Sequence, residues 1–382
     1  MEGGGSERQM ALLVRNLDRS RFAPELYLQH RSGPHLASIP HDIPIHSFDA
    51  EAPKNWIHWP GRIRQQQIRH LRKIISQNQF DLVFDRALHM TQLTGPASTG
   101  LNVARISTVV ASPIDDFEFY EKRFRWLKRK LLGRAYQQAD RVLAVSHSIA
   151  REMQSYYHVP EQRIEVLYSA IDQEQISAAV NEPIADHTDV ENVELRVLCI
   201  GRITDIKRQQ DVYDAAKFLI HEKQRRIQVD FVGDGPLKLK LEQQASRDGL
   251  QQFIRFHGFR SNPFPFYRHT DLLCLASLCE GLPNVIMEAM YLGVPVLASD
   301  CSSGPKELLG DQTGKQCYGT LVPTKNPSAI AAAILDRIEH PKPWLDRAQQ
   351  AREVATQRHQ LSNWLIKIEG LFEEVVQRRN NR

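Results

Sequence analysis

The sequence predicts an α/β protein with two doubly wound, parallel-sheet domains. Three observations carry that expectation. Largely apolar runs such as 80–84, 104–110, 196–200 and 271–276 recur along the chain, each followed by a turn and a helical pattern. Strands that alternate with helices indicate a parallel sheet with crossovers. At 382 residues the chain is long enough for two domains of ordinary size. The stretch 183–194 is polar and acidic with one proline, and reads as a linker between a first domain, 1–182, and a second, 195–360.

Composition narrows the class. Hydrophobic residues make up 42% of the chain and charged residues 25%, as in a soluble globular protein. The net charge of +4 says little about partners, and nucleic acid is not expected among them. All five cysteines fall in the second half and none forms a C-x2-C pair, so neither a zinc site nor a disulfide framework is indicated. Reduced cysteines and a cytoplasmic location are the expectation. No run approaches the roughly 20 apolar residues of a membrane span, and no signal peptide is expected.

The first domain opens on the glycine-rich loop Met1-Glu-Gly-Gly-Gly-Ser6, which enters a helix from Glu7 to about Leu17. In a doubly wound domain such a loop follows the first β-strand. None precedes it here, so the start is expected to be truncated or assigned late. Short strands follow at 25–29 and 43–48, then a basic helix, Arg62 to Ser76, with Ile63, Ile68, Leu71, Ile74 and Ile75 as a partial apolar face. Strands at 80–84 and 104–110 frame Asp85-Arg86-Ala-Leu-His89. Arg141–Val145 is a strand, with Ser146 capping the helix that begins at His147, and 164–168 is the last strand.

Residues 117–136 stand apart. Seven Lys or Arg lie between Lys122 and Arg134, interleaved with Phe117, Phe119, Phe124, Trp126, Leu127, Leu131 and Leu132. On one continuous helix the residues 117, 120, 124, 127 and 131 would form an apolar stripe. Such a helix fits an anionic membrane surface, with Trp56 and Trp59 extending it, and equally a core-facing amphipathic helix with solvated charges.

The second domain turns on Ser277 to Asp300. The apolar run 271–276 reads as a buried strand, Glu280-Gly-Leu-Pro283 as a turn, Asn284 as an N-cap and Val285 to about Leu292 as a helix ended by Gly293. Glu280 and Glu288, eight residues apart, would bring two carboxylates to a helix N-terminus. Backbone amides there suit a phosphate, and carboxylates accept hydrogen bonds from sugar hydroxyls. A nucleoside diphosphate sugar has both parts. Further strands are expected at 196–200, 229–232 and 253–257, with helices over 327–338 and about 362–377.

The string Glu280-Gly-Leu-Pro-Asn-Val-Ile-Met-Glu288-Ala-Met290, with Gly293-Val-Pro295 and Asp300, resembles the E-x7-E signature of family 4 glycosyltransferases. The resemblance implies the GT-B fold: two Rossmann-like domains facing a cleft, with the last helix, 361–382, crossing back to the first. It implies a first domain for the acceptor and a second for a nucleotide sugar. It assigns Arg202 and Lys207 to the donor diphosphate, Glu288 to the ribose and Glu280 to the transferred sugar. The implied donor site comprises Gly201, Arg202, Lys207, Gly233, Gly235, His257, Gly258, Phe259, Glu280, Gly281, Leu282, Pro283, Asn284, Val285 and Glu288, with Gly3, Gly4 and Gly5 as a phosphate loop. Tyr168-Ser-Ala-Ile-Asp172 resembles the family's Tyr-Asn-Gly-Val-Asp, with Ser169 in place of Asn.

The physical chemistry agrees with that assignment. Breaking a sugar–phosphate bond builds negative charge on the diphosphate, which two fixed cations and helix amides stabilise. No metal and no cofactor are expected. Many relatives carry a histidine after the strand at 104–110, where this chain has Val109-Val-Ala-Ser112, so that residue is not carried over and His89 is the candidate sugar contact. The expected activity is retaining transfer of a hexose or N-acetylhexosamine, with UDP as carrier, to a lipid-linked saccharide or a lipopolysaccharide or exopolysaccharide precursor. Alternatives are a GT-B nucleotide-sugar epimerase, a degenerate transferase, and a non-catalytic basic membrane or nucleic-acid binder.

Overall fold

The structure, a computed structural model, describes residues 4–51, 61–121, 123–184, 192–310 and 316–381. Gly3, Trp56 and Trp59 lie outside the described residues. The chain forms two compact units, one of Met1–Ala170 with Leu361–Arg382, the other Ile171–Gln360.

Twelve strands follow in chain order: β1 Leu26–Leu28, β2 Ile45–Ser47, β3 Leu82–Arg86, β4 Ala104–Val109, β5 Arg141–Ala144, β6 Ile164–Val166, β7 Leu195–Ile200, β8 Ile227–Val232, β9 Ile254–Gly258, β10 Leu272–Leu275, β11 Val296–Ser299 and β12 Thr320–Val322. The second unit holds a six-stranded sheet in the order β12-β11-β10-β7-β8-β9. Every pairing in it is parallel. All residues of β8, β10 and β11 are buried, as helices covering both faces require. Val197, Val229, Phe231, Leu272 and Leu297 share one core with Val212, Leu219, Ile330 and Ile334 from the flanking helices. The strand order reverses between β7 and β10, and an open α/β sheet leaves its ligand crevice at the carboxyl ends of the strands on either side of such a reversal.

In the first unit, β3-β4-β5-β6 form one parallel sheet, and β1 pairs with β2 in a separate parallel pair. The helix Gly5–Asn16 serves both. Ala11 and Val14 pack on Leu26, Leu28 and Ile43, while Leu12, Leu13 and Leu17 pack with Ala104, Ile106 and Leu143. The terminal helix, Leu361–Asn380, buries Trp364, Ile368, Leu371, Phe372 and Val375 in the same cluster. Phe372 lies 5.2 Å from the Phe84 ring, and Arg21 pairs with Glu369 at 2.9 Å. The first boundary differs from the sequence expectation. Residues 171–182 group with the second unit, through Ile171 N–H donating to His359 O at 3.0 Å and Asn262 donating to Glu182 at 2.8 Å.

Residues 117–136 are not one helix. A single π-helical turn, Asp116–Tyr120, is followed by a break, and a separate helix runs Arg125–Gln137. The apolar stripe expected from continuous periodicity is therefore divided. Phe117 is buried at 1% exposure, whereas Tyr120, Phe124 and Trp126 are 58%, 68% and 72% exposed. The second helix buries Leu132, Gly133, Ala135 and Tyr136 instead. Small residues win that face because the helices are close: a Cβ on Gly95 would meet that of Ala135 at 2.6 Å.

Asp116, in the π-turn, gives a pH prediction. Burial pushes its carboxyl from 3.8 up to about 7, and Asp115, Glu121 and Glu152 add repulsion. The folded value lies above the unfolded one, so the contribution to stability is full below about pH 4 and is lost as pH rises through about 7. Asp116→Asn should raise the melting temperature at pH 8 and barely change it at pH 4. The whole displacement is worth roughly 4 kcal/mol, and sharing among four acids reduces the expected gain to about 2 kcal/mol. An equal gain at both pH values would contradict this.

Candidate active site

The reversal between β7 and β10 brings the loops after these strands together. Leu278 N–H donates to Ile206 O at 2.8 Å across it. From the β7 side comes Lys207, from the β10 side Glu280, and Lys207 Nζ donates to Glu280 Oε1 at 2.5 Å. The Glu280 side chain is only 10% exposed, so the pair is partly desolvated and stronger than a surface ion pair. Ser277 Oγ, fully buried, donates to the same Oε1 at 2.6 Å. Arg202, at the end of β7, is exposed and has no ion pair or side-chain hydrogen bond among the described residues. Among the described residues, the loops after these strands thus present the Lys207–Glu280 pair and, at the end of β7, Arg202 without an ion pair.

Backbone contacts lock the neighbouring turns. Gly233 N–H donates to Gly258 O at 2.8 Å, and Gly201 N–H donates to Val232 O at 2.9 Å. At Gly233, φ is 146° and a Cβ would sit 2.1 Å from Gly201 O, so only glycine fits. His257 is committed to packing and support: Nε2 lies 2.7 Å from Asp230 Oδ1 and its ring centroid 4.7 Å from that of Phe266. Phe259, two residues on, is 48% exposed.

The helix after β10 spans Asn284–Leu292. Asn284 is not its N-cap: Pro283 holds that position, with ψ 115°, and among the described residues no side chain caps the helix. The fixed φ of proline and its place after Gly281-Leu282 end the loop one residue earlier than the amide-capping pattern indicated. The first turn carries no acid, so nothing within it opposes an incoming anion. Gly281, Leu282 and Pro283 are buried, with Val285 half-buried. Glu288 is completely buried, and Tyr267 OH donates to its Oε2 at 2.8 Å. It is closed off from solvent rather than openly exposed.

In the first unit, Gly4 caps the helix Gly5–Asn16. A Cβ at Gly4 would lie 2.4 Å from Glu7 Oε2, so the helix's own carboxylate already faces that N-terminus. Arg86, at the end of β3, donates from Nη2 to Ser169 Oγ at 3.1 Å, and burial pushes its guanidinium down to about 10 against the nearby charge of Glu7. Asp85 is consumed internally, accepting from Thr91 and Thr94 at 2.5 Å each and from Ser107 at 2.8 Å. His89 is exposed in the first turn of the helix Leu88–Ser98. Sequence reasoning singled out Lys207, Arg202, Glu280 and Glu288 but missed Ser277, Tyr267 and Ser303. The one available signal was the position of Ser277 three residues before the first glutamate.

Comparison with known proteins adds an independent line. A model described as Glycosyltransferase Family 4 matches residues 3–175, and one described as Glycosyl transferases group 1 matches residues 194–340. The chain is 25% identical over 276 residues to the uncharacterized glycosyltransferase MJ1059 of Methanocaldococcus jannaschii, covering 68% of this chain and 65% of that protein. It is 25% identical over 229 residues to the N-acetylgalactosamine-N,N'-diacetylbacillosaminyl-diphospho-undecaprenol 4-alpha-N-acetylgalactosaminyltransferase of Campylobacter jejuni, covering 59% and 58%. The chain thus spans less than two thirds of the length of these curated relatives. Anabaena Alr3699/HepE, solved in complex with UDP, superimposes with a TM-score of 0.77 at 19% identity, over 98% of this chain and 97% of that one. Both halves of the sequence answer to glycosyltransferase models, and nearly the whole chain to one solved fold: the chain belongs to the family 4 glycosyltransferases and has the GT-B fold.

Proposed function

We propose that the enzyme moves a hexose or N-acetylhexosamine from UDP to a lipid-linked saccharide, or to a lipopolysaccharide or exopolysaccharide precursor, with retention and without a divalent metal. The carrying observation is the Lys207–Glu280 pair at the strand reversal, in a loop that also carries Arg202, which has no ion pair among the described residues. In this reading Arg202, Lys207 and the amides of the helix Asn284–Leu292 receive the charge that builds on the leaving diphosphate. Glu288 takes the ribose after Tyr267 gives way, and Glu280 takes hydroxyls of the transferred sugar. The acceptor oxygen bonds to the anomeric carbon on the face that UDP leaves. A donor phosphate oxygen accepts the acceptor's proton, so no side chain is required as base. Acceptor recognition falls to the first unit, with His89 as a contact. UDP is favoured by its presence in the Anabaena structure, and a lipid-linked acceptor by the diphospho-undecaprenol substrate in the name of the Campylobacter relative.

Thermal stabilisation against UDP-, GDP- and ADP-sugars tests the donor. Ligand at 100 times Kd adds about 2.7 kcal/mol of stability. A shift with UDP-sugars alone is expected, and a shift with none of them would overturn the reading. Epimerised sugar formed without acceptor would also overturn it.

Peripheral contact with an anionic membrane is part of the same proposal. No helix among the described residues is long and apolar enough to cross a membrane, so contact would be peripheral. Around Phe124 the described residues break three local rules without gaining burial. Phe124 adopts φ 53°, the helix after it lacks a capping side chain among the described residues, and its first turn holds no acid to offset Arg125 and Lys128. Arg123, Arg125 and Lys130 have no ion pair among the described residues, whereas Lys128 pairs with Glu121 and Arg129 covers Tyr156. Unpaired cations around exposed Phe124 and Trp126 complement an anionic lipid interface. Replacing Phe124 and Trp126 by serine should cut pelleting with phosphatidylglycerol vesicles at least tenfold and leave the melting temperature unchanged. Unaltered pelleting would remove membrane contact from the proposal.

A further inference from the structure

The loop that carries Glu280 is held from three sides by serine hydroxyls. Ser277 Oγ donates to Glu280 Oε1 at 2.6 Å. Ser299 Oγ donates to Ser277 O, and Ser303 Oγ donates to Glu280 O. Both ends of 277–280 are thereby tied to the strand and loop of β11. The next residue completes the brace: at Gly304, φ is 64° and a Cβ would lie 2.2 Å from Gly281 O. Ser277, Ser299 and Ser303 are all buried.

Oε1 of Glu280 accepts from both Ser277 and Lys207, while Oε2 has no hydrogen bond among the described residues. We infer that Ser277 is a positioning residue: with Lys207 it clamps one carboxylate oxygen, fixes the plane of the group, and leaves the other oxygen free for a ligand hydroxyl. A carboxylate on a three-torsion side chain loses rotamer freedom when it binds, and a clamp set in advance removes that cost from the binding step. The clamp also divides the work. Lys207 can turn toward a diphosphate only if another donor keeps Glu280 in place, and Ser277 is that donor. This inference rests on the proposed role of Glu280 toward the donor sugar and deepens it.

The test compares affinities for UDP and for UDP-glucose, UDP-galactose and UDP-N-acetylgalactosamine by calorimetry in wild type, Ser277→Ala and Glu280→Gln. Ser277→Ala should reduce the preference for the best UDP-sugar over UDP by about tenfold, the factor for losing one hydrogen bond to a charged acceptor. Affinity for UDP alone should stay within about twofold. Ser303→Ala, which acts on the backbone of the same loop, should give a smaller reduction of the same kind and covers the case in which Ser277→Ala unfolds. If Glu280→Gln lowers the preference but neither serine variant does, positioning by Ser277 is overturned and the sugar role of Glu280 stands. If Glu280→Gln leaves the preference unchanged, the sugar role falls first. Equal losses for UDP and UDP-sugar in both serine variants, with melting temperature retained, would mark a general structural role and also overturn the inference.

Discussion

Replacing Lys207 by alanine is expected to lower kcat/KM by about 10²–10³-fold, as removal of one preorganised donor at a developing charge does elsewhere. Two consequences of the substitution act together. The cation that would face the leaving diphosphate is gone. The Glu280 carboxylate, 10% exposed, is left with Ser277 as its remaining side-chain donor. Truncating one partner of a desolvated pair costs more than the pair is worth, because the surviving charge stays buried without its counter-ion. The variant should therefore also lose stability, on the order of 1–2 kcal/mol. Lys207→Ala with Glu280→Gln should recover most of that stability and none of the activity. Steady-state kinetics and denaturant unfolding check both halves. Activity within threefold of wild type would place the leaving-group charge elsewhere.

The second large effect is expected at Gly304. An alanine Cβ there would lie 2.2 Å from Gly281 O and 3.0 Å from the Pro283 ring, with φ in the left-handed region. Neither partner can yield cheaply, since one is backbone and the other a proline that starts the helix Asn284–Leu292. Strained φ and overpacking each cost about 1–3 kcal/mol, so a loss of roughly 3 kcal/mol is expected. The displaced loop is the one that carries Glu280 and Pro283, so donor affinity should fall by at least tenfold even where the protein remains folded. Gly370, on the exposed side of the terminal helix, has nothing within 4 Å of a built Cβ and provides the control. Gly370→Ala should be neutral or slightly stabilising.

Some of this was legible in the sequence and some was not, for physical reasons. Strands β7 and β10 announced themselves as largely apolar runs ending at glycine or at a loop, because a strand buried on both faces is mostly apolar, whereas β8 interrupts its run with buried Gln228 and Asp230. Their order in the sheet did not, since pairing between β7 and β10 joins residues more than seventy positions apart. Strand β12, three residues with only Val322 buried, carries too little pattern to find. Asn284 is a favoured capping residue, yet the proline before it took the cap. The stripe at 117–131 followed helical spacing, but a π-turn and Phe124 at positive φ divide it. Periodicity reports which residues share a face only if the backbone stays regular between them. Glu288 was recognised by its spacing. Its complete burial under Tyr267 depends on a tertiary contact that spacing does not encode. Ser277 was invisible for the opposite reason: a serine before a turn is common, and only the 2.6 Å contact gives it meaning.

The most direct test of the donor site is a crystal structure of the enzyme with UDP bound. The diphosphate is expected against Arg202 and Lys207 at the carboxyl ends of β7 and β10, the ribose toward Glu288, and Lys207 released from Glu280. Density for UDP away from that strand reversal, or a Lys207–Glu280 contact unchanged beside a diphosphate that touches neither cation, would contradict it.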